Sequence, residues 1–219
     1  MKRIAERCVL CVLIKMLLMA WAGGLAGGED ARKLTVMVYL CGSNLESRYG
    51  SATEDILEMI DASPADFREV SVLVMTGGSA IRGEDRFFQA GNTCIYEIGN
   101  GRIRRMWQAE TEMNMGEAGT LRRLLEYGQE TRPAENYALI LWDHGGGPLE
   151  GVCRDENYGM DALSLGEIAE ALEGWTEKKL SWIGFDACLM GSLEVAGQMA
   201  PYAEYMIASQ ETEPAWGWN

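Results

Sequence analysis

Residues 136–147 read NYALILWDHGGG, an apolar run over 137–142 that stops on Asp143, His144 and three glycines. A short, nearly unbroken apolar run with a turn-forming stop is the pattern of a strand buried on both faces of a sheet. The pattern recurs at 34–40 (LTVMVYL), 70–76 (VSVLVMT) and 180–185 (LSWIGF), and more briefly at 205–208 (YMIA). Between these runs, 54–62, 120–129, 165–172 and 192–199 place apolar residues at helical spacing. Strands that alternate with helices predict βαβ units, and hence an α/β fold with helices on both faces of a mostly parallel sheet. Residues 94–107 (CIYEIGNGRIRRMW) predict an antiparallel hairpin instead, turned at Gly99, Asn100 and Gly101.

The chain has 219 residues, 47% of them hydrophobic, enough for one substantial core. Its 19 basic and 33 acidic side chains give a formal charge of −14. That balance offers no footprint for a nucleic-acid backbone and favours cationic partners. Six cysteines, whose one Cys-x-x-Cys pair (Cys8 and Cys11) lies within the N-terminal apolar run, argue against a disulfide scaffold or a structural zinc site. At the N-terminus Lys2, Arg3 and Arg7 precede an apolar run over 8–22 that carries Lys15 and ends on Ala20-Trp21-Ala22. This reads as an export signal, too short and too interrupted for a stable membrane span. Its removal leaves a formal charge of −17 and four cysteines, Cys41, Cys94, Cys153 and Cys188, of which Cys188 is expected to be free. Residues 23–32 (GGLAGGEDAR) form a flexible lead-in, and one domain is expected over 33–219.

In open α/β sheets ligands bind beyond the carboxyl ends of the strands. His144, the chain's single histidine, follows one buried strand there, and Gly145 offers a backbone N–H that no Cβ shields. Cys188 follows a second strand and precedes a helical pattern whose positive end would favour a thiolate. If the two strands are neighbours, thiol and imidazole share one rim, the constellation of a cysteine nucleophile with its base. Asp143 reads as a turn former rather than as a third member. Acidic pairs such as Glu54-Asp55 and Asp155-Glu156 read as charged surface loops without metal-ligand spacing.

The segments TVMVYLCGSNLES (35–47), YGSATEDILEM (49–59), NYALILWDHGGG (136–147), GFDACLMGSLEVA (184–196) and ASQETEP (208–214), followed by Gly217-Trp218, resemble in order the clostripain-like cysteine peptidases. The resemblance implies a caspase-like three-layer α/β/α sandwich with strand order 2-1-3-4-5-6. It also implies a catalytic dyad of His144 and Cys188, and cleavage after Arg or Lys. Calcium and an internal cut between the dyad residues occur in some members. No cofactor is demanded by the residues themselves. A further strand is expected beyond Asn219, so the chain reads as C-terminally incomplete.

On this reading the backbone N–H groups of Gly145 and Cys188 form an oxyanion hole. Asp186, two residues before the nucleophile, with Glu211 and Glu213 after the fifth strand, would receive the cationic side chain of a peptide or protein substrate. Arg154, in the polar stretch 151–161, is the candidate for self-processing, with Lys178-Lys179 as competitor. The expected activity is that of an exported, secreted or cell-envelope endopeptidase. The alternative is a catalytically incompetent, truncated caspase-like domain that binds cationic peptides.

Overall fold

The computed structural model describes residues 32–63, 69–81, 86–88, 91–175, 178–215 and 217–218. The expected signal segment at 1–22, and all but the last residue of the lead-in, lie outside them. Five apolar runs form β1 (Arg32–Cys41), β2 (Val70–Gly77), β5 (Ala134–Trp142), β8 (Leu180–Asp186) and β9 (Ala203–Ala208). The hairpin expected at 94–107 is β3 (Cys94–Gly99) and β4 (Arg102–Gln108). Its turn takes Asn100 and Gly101 to φ of 52° and 65°, the two left-handed positions of a tight hairpin.

Together these seven strands make one sheet, in the order β4-β3-β2-β1-β5-β8-β9. The pairs β2·β1, β1·β5, β5·β8 and β8·β9 are parallel, and β3 joins β2 antiparallel. Counting the parallel strands alone, the order is the 2-1-3-4-5 part of the arrangement implied by the family resemblance. The hairpin widens the sheet at its β2 edge.

Helices are α1 (Ser43–Tyr49), α2 (Ser51–Asp61), α3 (Ala118–Thr131), the single turn α4 (Gly147–Glu150), α5 (Leu165–Leu172) and α6 (Leu193–Met199). A small second ribbon pairs β6 (Val152–Asp155) with β7 (Asp161–Leu163). Alternate residues of β1 belong to two cores. Met37 and Tyr39 pack with Leu121, Leu124 and Leu125 of α3, and in the same cluster lie Ile168 of α5 and Val195 of α6. Val38 and Leu40 pack with Ala52, Ile56 and Ile60 of α2. Burial on both faces is why these strands lack polar alternation. Ser164 caps α5 in a reciprocal box with Glu167, which sets that helix to start at Leu165.

Two sequence expectations are corrected. The acidic pairs are not surface loops: Asp55 and Asp155 are buried, Glu54 is exposed, and Glu156 is partly exposed with its carboxylate accepting the Ala80 N–H. Asp55 accepts the indole N–H of Trp142 at 2.5 Å, and Asp155 accepts backbone N–H groups of Met115 and Asn157. Helix α6 starts five residues after Cys188, capped by Ser192, so its positive end does not sit immediately behind the thiol. Cys41, Cys94, Cys153 and Cys188 are all free thiols.

Candidate active site

Strands β5 and β8 are adjacent and parallel, and Trp142 stands opposite Asp186 on their last shared rung. His144 and Cys188 therefore leave the sheet at the same height, each two residues beyond that rung. Both line one cleft of about 120 Å³, together with Leu45, Trp142, Asp186 and Glu213. Each side chain is partly exposed, as groups that meet a substrate must be.

The two loops are held by backbone bonds. His144 O accepts the N–H of Cys153, and Gly146 N–H reaches Gly151 O, so the glycine loop is tied to β6. Beyond Cys188, Leu189 adopts φ of 64°, and its N–H donates to Glu211 O at 3.0 Å. A left-handed leucine is strained, and such strain collects where a neighbouring group must be aimed. Gly191 N–H donates to Ser209 O at 2.6 Å, which pins the same loop to the chain leaving β9. Between these anchors the N–H groups of Gly145 and Cys188 make no hydrogen bond among the described residues. The Glu213 N–H points at Cys188 Sγ across 3.2 Å, and the thiol in turn faces the Glu213 carbonyl at 3.7 Å.

The imidazole of His144 meets Asn44 Oδ1 through Nε2 at 2.7 Å. Burial lowers the pKa of His144, and the Arg154 guanidinium lowers it further, so the neutral ring is the resting form. Asp143 turns away from that ring to serve the framework. Its Oδ1 accepts the Ser43 hydroxyl and its Oδ2 the Arg154 N–H, both at 2.5 Å. Burial raises the Asp143 carboxyl to about 7, against the opposing pull of those donors.

Of the three carboxylates expected to receive a cation, Asp186 and Glu213 line the cleft and Glu211 does not. Glu211 is exposed and contributes its carbonyl to Leu189. Asp186 Oδ2 accepts the Trp218 N–H at 3.1 Å. Burial raises its pKa to about 6, with the Trp218 N–H opposing and the charge of Glu213 reinforcing. Glu213 Oε1 accepts the Trp218 indole N–H at 3.2 Å, whereas its Oε2 is buried with no partner among the described residues. Arg154 sits on β6, its guanidinium paired with Glu150 at 2.7 Å. The Lys179 ammonium donates to Ala200 O.

Sequence reasoning missed Ser43 and Asn44. The rule that found His144 and Cys188 would have flagged them, because they too follow a buried strand at its carboxyl end. It missed Asp55 because burial of one member of an acidic pair has no local sequence signal. Among the described residues no group of three or more His, Cys, Asp or Glu side chains converges, and the carboxyl of Asp155 is already engaged by backbone donors. No described helix is long and apolar enough to cross a membrane.

Known proteins resemble this chain in sequence and fold. The model of the Clostripain family matches residues 38–219. Clostripain of Hathewaya histolytica is 30% identical over 223 residues, a match covering 85% of this chain and 40% of that protein. A secreted C11 cysteine protease from Bacteroides thetaiotaomicron, solved with an irreversible peptide inhibitor, superposes with a TM-score of 0.69 at 24% identity, covering 85% of this chain and 51% of that one. An inactive zymogen C11 protease from Parabacteroides distasonis gives a TM-score of 0.64 at 24% identity, with coverages of 87% and 52%. The chain thus spans about half the length of these relatives, or less.

Proposed function

The chain belongs to the clostripain family of cysteine peptidases, and from that premise we propose that it is an exported endopeptidase that cuts after Arg or Lys with Cys188 as nucleophile and His144 as its acid–base partner. The observation that carries the reading is the placement of both side chains two residues beyond one rung of adjacent parallel strands, in a single cleft. Cys188 thiolate attacks the scissile carbonyl, and the oxyanion is received by the free N–H groups of Gly145 and Cys188. His144 gives a proton to the leaving amine, and water then hydrolyses the thioester with His144 as base.

Two features support a cationic side chain before the scissile bond. Asp186 and Glu213 border the same cleft as the nucleophile. The partnerless Oε2 of Glu213 is a buried acceptor awaiting a donor, a costly arrangement that a guanidinium or ammonium relieves. The basic and apolar segment at 1–22 supports export. Self-processing at Arg154 would require opening β6, since its N–H is bonded to Asp143 and its side chain to Glu150. The test is labelling by an electrophile that carries Arg at the position before the reactive carbon. Covalent mass on Cys188 supports the assignment, and mass on another residue overturns it.

A further inference from the structure

The interaction that ties the imidazole to the rest of the fold comes from a segment the dyad does not include. Helix α1 begins directly beyond β1, and its first two residues face the two residues that follow β5. Ser43 bonds Asp143 and Asn44 bonds His144, each pair 100 positions apart in sequence. The start of α1 is itself fixed. Gly42 N–H donates to Gly77 O at 2.8 Å, the Ser79 hydroxyl donates to Ser43 O at 2.9 Å, and Ser43 is held at φ of 43°. Asn44 is therefore presented to the ring by rigid neighbours, as a group that orients another must be.

We propose that Asn44 is the positioning residue of the dyad, holding His144 as the Nε2–H tautomer so that Nδ1 is the nitrogen that exchanges protons with Cys188 and the leaving amine. An amide oxygen is an acceptor only, so the Nε2 it meets must carry the hydrogen. In the neutral ring the lone pair then lies on Nδ1, which makes no hydrogen bond among the described residues. The carboxylate adjacent in sequence cannot take this role, because the oxygens of Asp143 are engaged by Ser43 and Arg154.

The proton balance follows. Nδ1 accepts the proton of the Cys188 thiol, giving imidazolium and thiolate. The thiolate bonds to the scissile carbon, Nδ1–H protonates the amine, and the carbon–nitrogen bond breaks. Nδ1 then accepts a proton from the water that attacks the thioester and returns it to the departing sulfur. Throughout the cycle Nε2–H stays on Asn44 Oδ1. Loss of that acceptor frees the ring to rotate and to populate the Nδ1–H form, which has no base facing the thiol.

This inference rests on the peptidase reading, and the experiment separates the two. His144 is the only histidine of the chain, so protein made without a histidine tag and labelled with nitrogen-15 histidine gives a single imidazole spectrum. Above the pKa of the ring, the Nε2–H form is expected in the wild type and in Cys188→Ala. Asn44→Ala is expected to show a mixture of tautomers, with kcat reduced roughly 10- to 100-fold and KM little changed. Asn44→Asp keeps an acceptor and is expected to restore the Nε2–H form, while its added negative charge moves the ring's titration to higher pH. A wild-type spectrum of the Nδ1–H form overturns the proposal, even if Asn44→Ala fails to fold. So does an Asn44→Ala protein whose tautomer and kcat both match the wild type. A wild-type protein without peptidase activity would overturn the peptidase reading instead, and leave the tautomer assignment standing.

Discussion

Gly145 lies so close to the carbonyl oxygen of Cys188 that a Cβ at position 145 would collide with it, and would also come within 3.1 Å of Ala187 Cβ. The loops leaving β5 and β8 are thus packed backbone against backbone. That contact brings the two loops together, so the imidazole and the thiol are placed by one shared surface. A bare glycine after the histidine therefore does more than fill its proposed role of leaving an N–H open to a substrate carbonyl. It lets the nucleophile's loop close on the histidine's loop.

Gly145→Ala is accordingly expected to lower kcat/KM by roughly 100-fold or more, because a displacement on the order of 1 Å at a reacting group has that consequence. The backbone shift falls on a collision with main-chain atoms, which no rotamer change relieves. Steady-state kinetics, with circular dichroism to confirm the fold, checks the outcome. An alanine variant with wild-type kcat/KM would show that the loops can separate freely.

The four cysteines among the described residues differ sharply in access. Cys41, Cys94 and Cys153 are between 0% and 1% exposed, whereas Cys188 is partly open to the cleft. Burial also pushes the thiols of Cys41 and Cys153 well above the ordinary range and raises that of Cys94, which removes their thiolate form at neutral pH. Iodoacetamide applied to the native protein is expected to alkylate Cys188 first, with activity lost in step. Cys188→Ala and His144→Ala should each remove nearly all activity while leaving the thermal midpoint within a few degrees of the wild type, since both lie on loops at strand ends. Peptide mapping after partial alkylation identifies the reactive position.

Two glycines of helix α3 look alike in the sequence and differ in the structure. A Cβ on Gly119 meets nothing within 4 Å, whereas one on Gly128 would come within 2.6 Å of the Met37 sulfur, in the core beneath the sheet. Gly119→Ala is expected to raise stability by about 0.5 kcal/mol through lower backbone entropy in the unfolded chain. Gly128→Ala is expected to destabilise by roughly 1–3 kcal/mol, because a packed core must shift to accept a methyl group. Urea unfolding of both variants distinguishes the signs.

How far the sequence revealed this site can be argued residue by residue. His144 and Cys188 were legible because each ends a buried apolar run, and the period of those runs is set by burial on both faces. The hairpin turn at Asn100-Gly101 was legible from residue chemistry alone. What remained hidden depends on register and on long-range packing. That Trp142 pairs with Asp186 is a matter of strand alignment, and no local pattern states it. Asp55 looks like any helix-surface carboxylate until Trp142 from another strand is placed on it. Glu211 and Glu213 were indistinguishable in sequence, and only the course of the chain after β9 turns one to solvent and the other into the cleft.

The two carboxylates in the cleft give the activity a pH signature. Burial raises Asp186 to about 6, so in the free protein its charge is present above that pH and is lost as pH falls through it. An ordinary aspartate would keep its charge down to about 4. Because kcat/KM reports the ionisation of free enzyme, cleavage after Arg should decline by about tenfold per unit below pH 6. A substrate with Leu at the same position makes no use of the charge, so the ratio of the two values of kcat/KM isolates Asp186 from the titration of the dyad. That ratio is expected to fall as the solution is acidified from pH 8 to pH 5. Asp186→Asn should lower the preference for Arg by roughly 10- to 100-fold at pH 8, the worth of a charge-assisted hydrogen bond, and should make the ratio independent of pH. Glu213→Gln should weaken the preference and, by removing a charge that helps raise Asp186, move the acid limb to lower pH. If Asp186→Asn leaves both the preference and the limb intact, the Asp186 carboxylate serves only to hold Trp218, and recognition of the cation falls to Glu213.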